Sequence, residues 1–377
     1  MSLGFSRFLK TLDGTFILAM VSIMVFGLFT MSSFQGDDSY FWKQGVWIIF
    51  SLSIFFVASL FEYRFLKQTR VVMTLYVLLL FLLSLLFVLG HVSTGAESWF
   101  HVGGVAFQPI DLMKVVLVIV LAKYFSRRHI EIANIRHIIV SFVYMLIPAA
   151  LVILQPDFGS AMVLFAIWLG LVFVSGISIR HLLVVIAIGG LIFSLAWNLV
   201  FKPYQKARII NFINPLTDVR GTGYNAYQST IAVGSGGIFG KGIGYGTQSR
   251  LNFLPEYKTD FIFAAFAEEW GFIGAILLLF FFFIIFFKLI VYAYVADSTF
   301  EALFTYGVLI WIITHVTVNI GMNIGIMPVT GIPLPLMSYG GSHLLAECLA
   351  LGMCAGMRRY SRSGHKYQEK NEFLGFE

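Results

Sequence analysis

Charge is scarce in this chain: only 12% of its 377 residues are Asp, Glu, Lys or Arg, about half the share found in soluble domains. With 59% hydrophobic residues and a mean hydropathy of +0.87, too few polar side chains remain to cover a water-soluble enzyme, and disorder is excluded as well. Cysteine is scarcer still. Cys348 and Cys354 are the only two; they lie six positions apart in one apolar segment, on different faces of a helix. Neither a disulfide framework nor a cysteine metal site is available. The chain lacks H-E-x-x-H and D-x-D, its histidines are scattered, and Asp37-Asp38 is the only adjacent acidic pair outside the membrane. A tightly held, protein-ligated metal is not expected. No small-residue cleavage site follows Phe34, so the first apolar run reads as an uncleaved span and not a signal peptide. Repeats of the transporter kind are missing too.

What the chain does have is long apolar runs, near 14–31, 44–61, 71–90, 110–124, 138–155, 158–176, 182–201, 261–288, 302–322 and 343–357. They predict an all-α polytopic membrane protein of about ten transmembrane helices, a single integral membrane domain over 1–377. The net charge of +6 acts here as an orientation signal. Arg7, Lys10, Arg64, Lys67, Arg70, Arg127, Arg128, Arg136, Arg180, Lys288 and the short tail 358–377 all fall on one side, while the short loops opposite hold only Lys43. The bias predicts both termini in the cytoplasm, and no nucleic-acid partner is implied.

One large polar segment, 202–260, lies outside between spans seven and eight. A connection of about sixty residues is far above the usual length and points to function or a partner surface. Its stretch 203–215 mixes Lys206 and Arg208 with Ile209, Ile210, Phe212 and Ile213, which suits a short helix in the headgroup layer. Between Gly234 and Gly246, seven of thirteen residues are glycine, but Ser235 and Gly242 break the nucleotide P-loop pattern. That loop reads as a tight reversal, or as backbone N–H groups aimed at an anion. The outer segment 323–342 carries Pro328, Pro333, Pro335, Gly331, Gly340 and Gly341. Such broken backbone must be packed in protein or line a wet cavity.

Acids at span ends are the sharpest candidates, because a carboxylate at bilayer depth costs about 2.5–3.5 kcal/mol on insertion scales. Asp111 and Lys114, three apart at the start of span four, meet on one helical face. Asp157 follows Gln155-Pro156 and is equally a helix cap. Asp260 begins span eight and on a helix shares its face with Ala264, Ala267, Gly271, Gly274 and Ala275, a small-residue stripe that admits close packing and aims the acid at the outer mouth of the bundle. The bland reading is that Thr259 or Asp260 caps the helix. Glu268 and Glu269 lie two turns deeper, at least one of them paired inside the bundle. His315, mid-span, reads as a helix-to-helix hydrogen bond.

Four motifs in order carry a resemblance: Gln155-Pro156-Asp157-Phe158-Gly159, Ile231-Ala232-Val233-Gly234-Ser235-Gly236-Gly237, Phe253-Leu254-Pro255-Glu256 with Thr259-Asp260-Phe261-Ile262-Phe263-Ala264 and Glu268-Glu269, and Met327-Pro328-Val329-Thr330-Gly331-Ile332-Pro333-Leu334-Pro335. Together they resemble the SEDS family (shape, elongation, division and sporulation), its RodA branch more than its FtsW branch, across nearly the whole chain. Two positions depart from the pattern. Asp111 stands where the family usually has Glu, and Glu97-Ser98-Trp99 lacks the usual basic residue before its Trp.

The resemblance implies a peptidoglycan glycosyltransferase that polymerises lipid II into β-1,4 strands for cell-wall elongation, outside the bacterial cytoplasmic membrane. Its implied partners are a class B penicillin-binding protein, the cross-linking transpeptidase, and other elongation-complex membrane proteins. Asp260 occupies the family's essential acidic position and is assigned as general base for the acceptor hydroxyl. Lys114 and Arg208 are assigned to the diphosphate. Trp99, Asp157 and Glu256 are read as substrate-binding, and Asp111 and Glu268 as supporting. No cofactor is evident, though a loosely bound divalent cation bridging the diphosphate to an acid stays open. A flippase or ion-coupled transporter of the lipid-linked precursor, and a non-catalytic scaffold for the penicillin-binding protein, are the competing readings.

Overall fold

A helix satisfies its backbone N–H and C=O groups internally, which is the condition for crossing lipid, and the apolar runs fold accordingly. The computed structural model describes residues 12–33, 39–89, 91–93, 96–102, 105–127, 135–199, 203–213, 223–250, 253–254 and 256–374. Arg7, Lys10, Asp37, Asp38, Arg128 and Pro255 lie outside them, as does the side chain of Arg208.

The long helices are α1 (Gly14–Ser32), α2 (Ser39–Leu60), α3 (Thr69–Leu89), α4 (Pro109–Ser126), α5 (Ile135–Leu154), α6 (Phe158–Val174) and α7 (Ile179–Leu199). Shorter ones follow in the large polar segment: α8 (Pro203–Ile213), α9 (Tyr224–Ser235) and α10 (Thr247–Arg250). Then come α11 (Ile262–Tyr294), α12 (Thr299–Asn323) and α13 (Gly341–Leu374). Among the described residues, six segments are long and apolar enough to cross a membrane: those in α1, α2, α3, α5, α11 and α12. Helix α4 carries Asp111, Lys114 and Lys123, yet nearly every residue from Pro109 to Phe125 is buried. It is the interior helix of the bundle, packed against α3, α5, α6, α12 and α13, so its charges meet protein and not lipid.

Two features differ from the sequence reading, and a third adds to it. The all-α expectation omits a small antiparallel sheet before α4: β1 (His91–Ser93), β2 (Ala96–Val102) and β3 (Val105–Phe107), in the order β1-β2-β3. Short strands pairing locally leave too weak an alternation to stand out beside spans. The tail past Arg358 continues α13 as helix to Leu374. Finally, α11 starts at Ile262, with Phe261 at its N-cap and no side-chain cap. Asp260 is therefore in the preceding turn, neither on the helix nor capping it.

The predicted small-residue stripe on α11 is broken for a physical reason. Gly271 has φ +67°, and a Cβ there would lie 2.2 Å from Gly240 N. The helix opens at that point to take in the glycine-rich loop after α9. Lys241 N and Gly242 N donate to Glu268 O and Glu269 O, both at 3.0 Å, while Phe272 N and Ile273 N donate back to Gly237 O and Ile238 O at 2.9 and 3.2 Å. Backbone groups freed by the break are thus satisfied across it. Gly240, at φ +78°, sits so close to Glu269 O that a Cβ would be 2.1 Å away. The glycines are required by this approach of two main chains.

Candidate functional site

The segment 324–340 folds back onto the ends of α11 and α12 and is largely buried from Thr330 to Ser338, apart from Gly331 and Pro333. Side-chain and main-chain hydrogen bonds hold it down. Asn319 Nδ2 donates to Ile332 O at 2.8 Å, Ser338 Oγ to Thr259 O at 2.6 Å, and Tyr339 N to Lys258 O at 2.9 Å. The turn that carries Asp260 is held from beneath: Asn319 Nδ2 and Asn323 Nδ2 both donate to Asp260 O, at 2.8 and 3.0 Å. Asn323 Oδ1 in turn accepts from Ala264 N at 3.0 Å, one of the N–H groups that a helix start leaves without an internal partner. The main chain at Asp260 is pinned at both its neighbours and its own carbonyl.

Between this turn, the folded-back segment, α4 and the start of α6 lies a cavity of about 680 Å³, within the size range of small-molecule sites. Its lining includes Asp260, Glu256, Asp157, Lys114, Asp111 and Trp99. Six of the eight residues singled out in the sequence therefore meet at one opening. Asp260 is half-buried there, and a Cβ on Gly331 (φ +77°) would come within 3.5 Å of its Oδ2. Glu256 is exposed, in a left-handed backbone conformation (φ +49°), with its Oε2 accepting from Thr259 Oγ1 at 3.2 Å.

Lys114 and Asp111 form a buried pair, Nζ to Oδ1 at 3.0 Å, with both side chains under 4% exposed. Coulomb attraction is strong at low dielectric, and an unpaired partner would be costly. Asp157 is a helix cap and also reaches the cavity wall. Its Oδ1 accepts from Ser160 N at 3.0 Å as the N-cap of α6, while its Oδ2 faces Gln108 Nε2 at 3.4 Å on the cavity wall. Pro156 lies in the turn before that cap and not at a first helical position.

Two residues remain. Arg208 is carried by α8, and its side chain is outside the described residues. Glu268 is fully buried away from the cavity: its Oε1 accepts from Lys241 Nζ at 2.7 Å, Thr247 N at 2.8 Å and Thr247 Oγ1 at 3.0 Å, and Gln248 N reaches Oε2 at 3.1 Å. The anion served by the glycine-rich loop is thus the protein's own carboxylate, and Glu268 supports the loop. Gly244 N does the same for Glu269 Oε1 at 3.1 Å.

Two cavity-side groups escaped the sequence reading. His343 lines the cavity, and Glu347 follows one turn on, its Oε1 2.7 Å from His343 Nε2. His315 Nδ1 faces Pro333 O at 3.2 Å, so it bonds the folded-back segment and not another helix. His315, His343 and Glu347 could together hold a metal ion. The only available sequence signal was two ionisable residues four apart inside an apolar run, since their partners come from α4 and α12.

Comparison with known proteins gives a consistent picture. The family described as cell cycle protein, comprising FtsW, RodA and SpoVE, matches residues 7–363. The chain is 32% identical over 352 residues to the peptidoglycan glycosyltransferase MrdB of Escherichia coli (strain K12), covering 93% of this chain and 94% of that protein. It is 34% identical over 361 residues to the stage V sporulation protein E of Bacillus subtilis (strain 168), covering 92% and 95%. Among solved structures, a chain from work on the structural coordination of polymerization and crosslinking by a peptidoglycan synthase complex superposes with TM-score 0.80 at 31% identity, covering 93% of this chain and 98% of that one. The rod shape determining protein RodA of Thermus thermophilus gives TM-score 0.69 at 30% identity, covering 92% and 97%.

Proposed function

The chain belongs to the FtsW, RodA and SpoVE family and is a peptidoglycan glycosyltransferase, and from that premise we propose that the cavity under Asp260 is where lipid II is polymerised. The observation that carries the proposal is that Asp260 and the Lys114–Asp111 pair line one cavity, so a base and a cation can act on the same substrate. The donor is an α-linked glycan diphosphate on a polyprenyl chain, and the product linkage is β-1,4. Inversion in one displacement needs proton removal from the acceptor hydroxyl and charge stabilisation at the departing diphosphate.

Asp260 takes the acceptor proton, a role worth about 10²–10⁴-fold for a base within hydrogen-bond reach. Lys114 stabilises the diphosphate as charge develops on it, and Asp111 keeps the ammonium in place. Asp157, Trp99 and Glu256 contact the glycan from the cavity wall, and Arg208 approaches the diphosphate from α8. A loosely bound divalent cation, held by one of the cavity acids, would add positive charge for the departing diphosphate.

Around this site we propose a single integral membrane domain of ten spans, α1 to α7 and α11 to α13, with both termini cytoplasmic. The segment 202–260 and the cavity mouth then face the outside of a bacterial cytoplasmic membrane. The basic-residue asymmetry supports this orientation. A class B penicillin-binding protein is the proposed partner and cell-wall elongation the proposed process; the likeness to a chain of a peptidoglycan synthase complex supports the first, and the resemblance to the RodA branch supports the second.

The test uses purified protein, with its partner, in detergent with lipid II. No second compartment exists there, so strand synthesis cannot be a transport artefact. Wild type is expected to make glycan strands and Asp260→Asn none above background, with complex formation intact. Strand synthesis at the wild-type rate in Asp260→Asn would overturn the base assignment.

A further inference from the structure

Three side chains not used in that chemistry converge beside the cavity. His315 comes from α12, His343 and Glu347 from α13, and one ligand atom of each lies within 4.8 Å of the others. The imidazoles stack, with ring centroids 5.0 Å apart and planes inclined by 20°. His343 Nε2 is 2.7 Å from Glu347 Oε1 and His343 Nδ1 is 3.5 Å from Asp111 Oδ1. Each is an ion-pair contact only when the imidazole carries a proton, and neither meets hydrogen-bond geometry. His315 Nε2 and Asp111 Oδ2 have no hydrogen-bond partner among the described residues. All four residues are more than nine-tenths buried, and buried polar atoms left open in one place call for a species that fills them.

The other atoms of these side chains are already engaged in the manner of metal ligands. Pro333 O, 3.2 Å from His315 Nδ1, holds the proton there and leaves a lone pair on Nε2. Leu336 N donates to Glu347 Oε2 at 2.8 Å, leaving Oε1 turned to the cluster. A carboxylate and an imidazole, each fixed through its outer atom, present their inner atoms to a common point.

We propose that His315 Nε2, a ring nitrogen of His343 and Glu347 Oε1 bind a divalent transition-metal ion. Two imidazoles and one carboxylate suit a borderline ion such as Zn²⁺, Co²⁺ or Fe²⁺, whereas Mg²⁺ and Ca²⁺ take oxygen ligands. Ligands on one such ion sit roughly 3–3.5 Å apart, and the three candidate atoms lie within 4.8 Å of one another. His315 and His343 are on the cavity wall, and this supplies the entry path. The ion ties α12 to α13 directly behind the Lys114–Asp111 pair.

The competing occupant is a proton, with His343 charged between Glu347 and Asp111. Full-length protein purified in detergent through a tag free of histidine, stripped with chelator and desalted, is titrated with Co²⁺ and read by visible d–d absorption and metal analysis. One Co²⁺ per chain is expected, retained in a hundredfold excess of Mg²⁺ and displaced by Zn²⁺. Glu347→Gln and His343→Ala should each weaken it by roughly tenfold or more, and Asp260→Asn should bind as wild type does. A wild type that elutes as folded protein yet binds no stoichiometric Co²⁺ would overturn the site, as would displacement by Mg²⁺ or undiminished binding in His315→Ala/His343→Ala. Because the wild-type titration is decisive by itself, a variant that misfolds does not blur the outcome, and the readout is independent of strand synthesis.

Discussion

Asp260 owes its position to two asparagines beneath it that hold its carbonyl, and to Gly331 opposite. Replacing Asp260 by Asn keeps shape and removes the base, so polymerisation is expected to fall by about 10²–10⁴-fold, measured as strand length and yield on gels, with thermal stability unchanged. Gly331→Ala places a methyl in van der Waals contact with the Asp260 carboxylate and at φ +77°, where an L-residue is disfavoured by roughly 1–2 kcal/mol. Lower kcat with the complex still formed is the expected result. Lys114→Met removes the cation 3.0 Å from the buried Asp111 carboxylate and leaves only His343 beside it, costing about 3–5 kcal/mol. Adding Asp111→Leu should recover most of that loss in a detergent melting assay and none of the activity, which separates the pair's structural part from its chemical part. At this scale the sequence was informative where an acid or a cation stood near a span end, as at Asp260, Asp111 and Lys114. It was silent on His343 and Glu347, whose surroundings come from helices far away in the chain.

Elements tell a different story, because there pattern and structure part at one backbone break. Small residues on α11 read as a packing stripe, and their type was informative; their reason was not. Gly271 is needed because α11 opens to exchange four backbone hydrogen bonds with the glycine-rich loop, and no periodicity encodes a bond between residues thirty apart. Gly271→Ala meets the same φ penalty and also drives its Cβ against Gly240 N, Ile238 O and Phe239 C. It should destabilise the protein well beyond the Gly331 change, with proteolysis appearing first in the loop around Phe239, whose side chain is 80% exposed. Wild-type melting and proteolysis in Gly271→Ala would show that this junction contributes little.

Across the whole molecule, the end opposite the cavity is closed by one acid. Asp13 caps α1 through Thr15 N at 3.2 Å and also receives Lys288 from α11 at 2.9 Å and Arg358 from α13 at 3.0 Å. Burial pushes its carboxyl up, but the hydrogen bonds from Lys288 and Thr15 and the charges of Arg358 and Lys288 outweigh that, holding it well below the usual carboxylate range. Its stabilisation is therefore complete above an ordinary Asp pKa of about 3.9 and is withdrawn as pH falls below that value. Asp13→Asn should melt earlier than wild type at pH 7, and the gap should narrow in acid. Orientation is checked separately by thiol labelling of intact cells. Both native cysteines are buried, so an impermeant maleimide should mark Lys43→Cys and leave Lys67→Cys untouched.

Composition and the spacing of apolar runs settled that this is a helical membrane protein, because burying that many apolar residues in lipid has few solutions and each span signals itself locally. The four motifs were equally local and sufficed for the family. What only the tertiary structure decided is which polar residues meet: that Asp260 faces the cavity from a turn and not a helix, that Glu268 serves the glycine-rich loop, and that His315, His343 and Glu347 converge. Contacts of this kind join segments tens of residues apart or more, or cross a break in one helix, and they depend on how the bundle packs, which one-dimensional spacing does not carry.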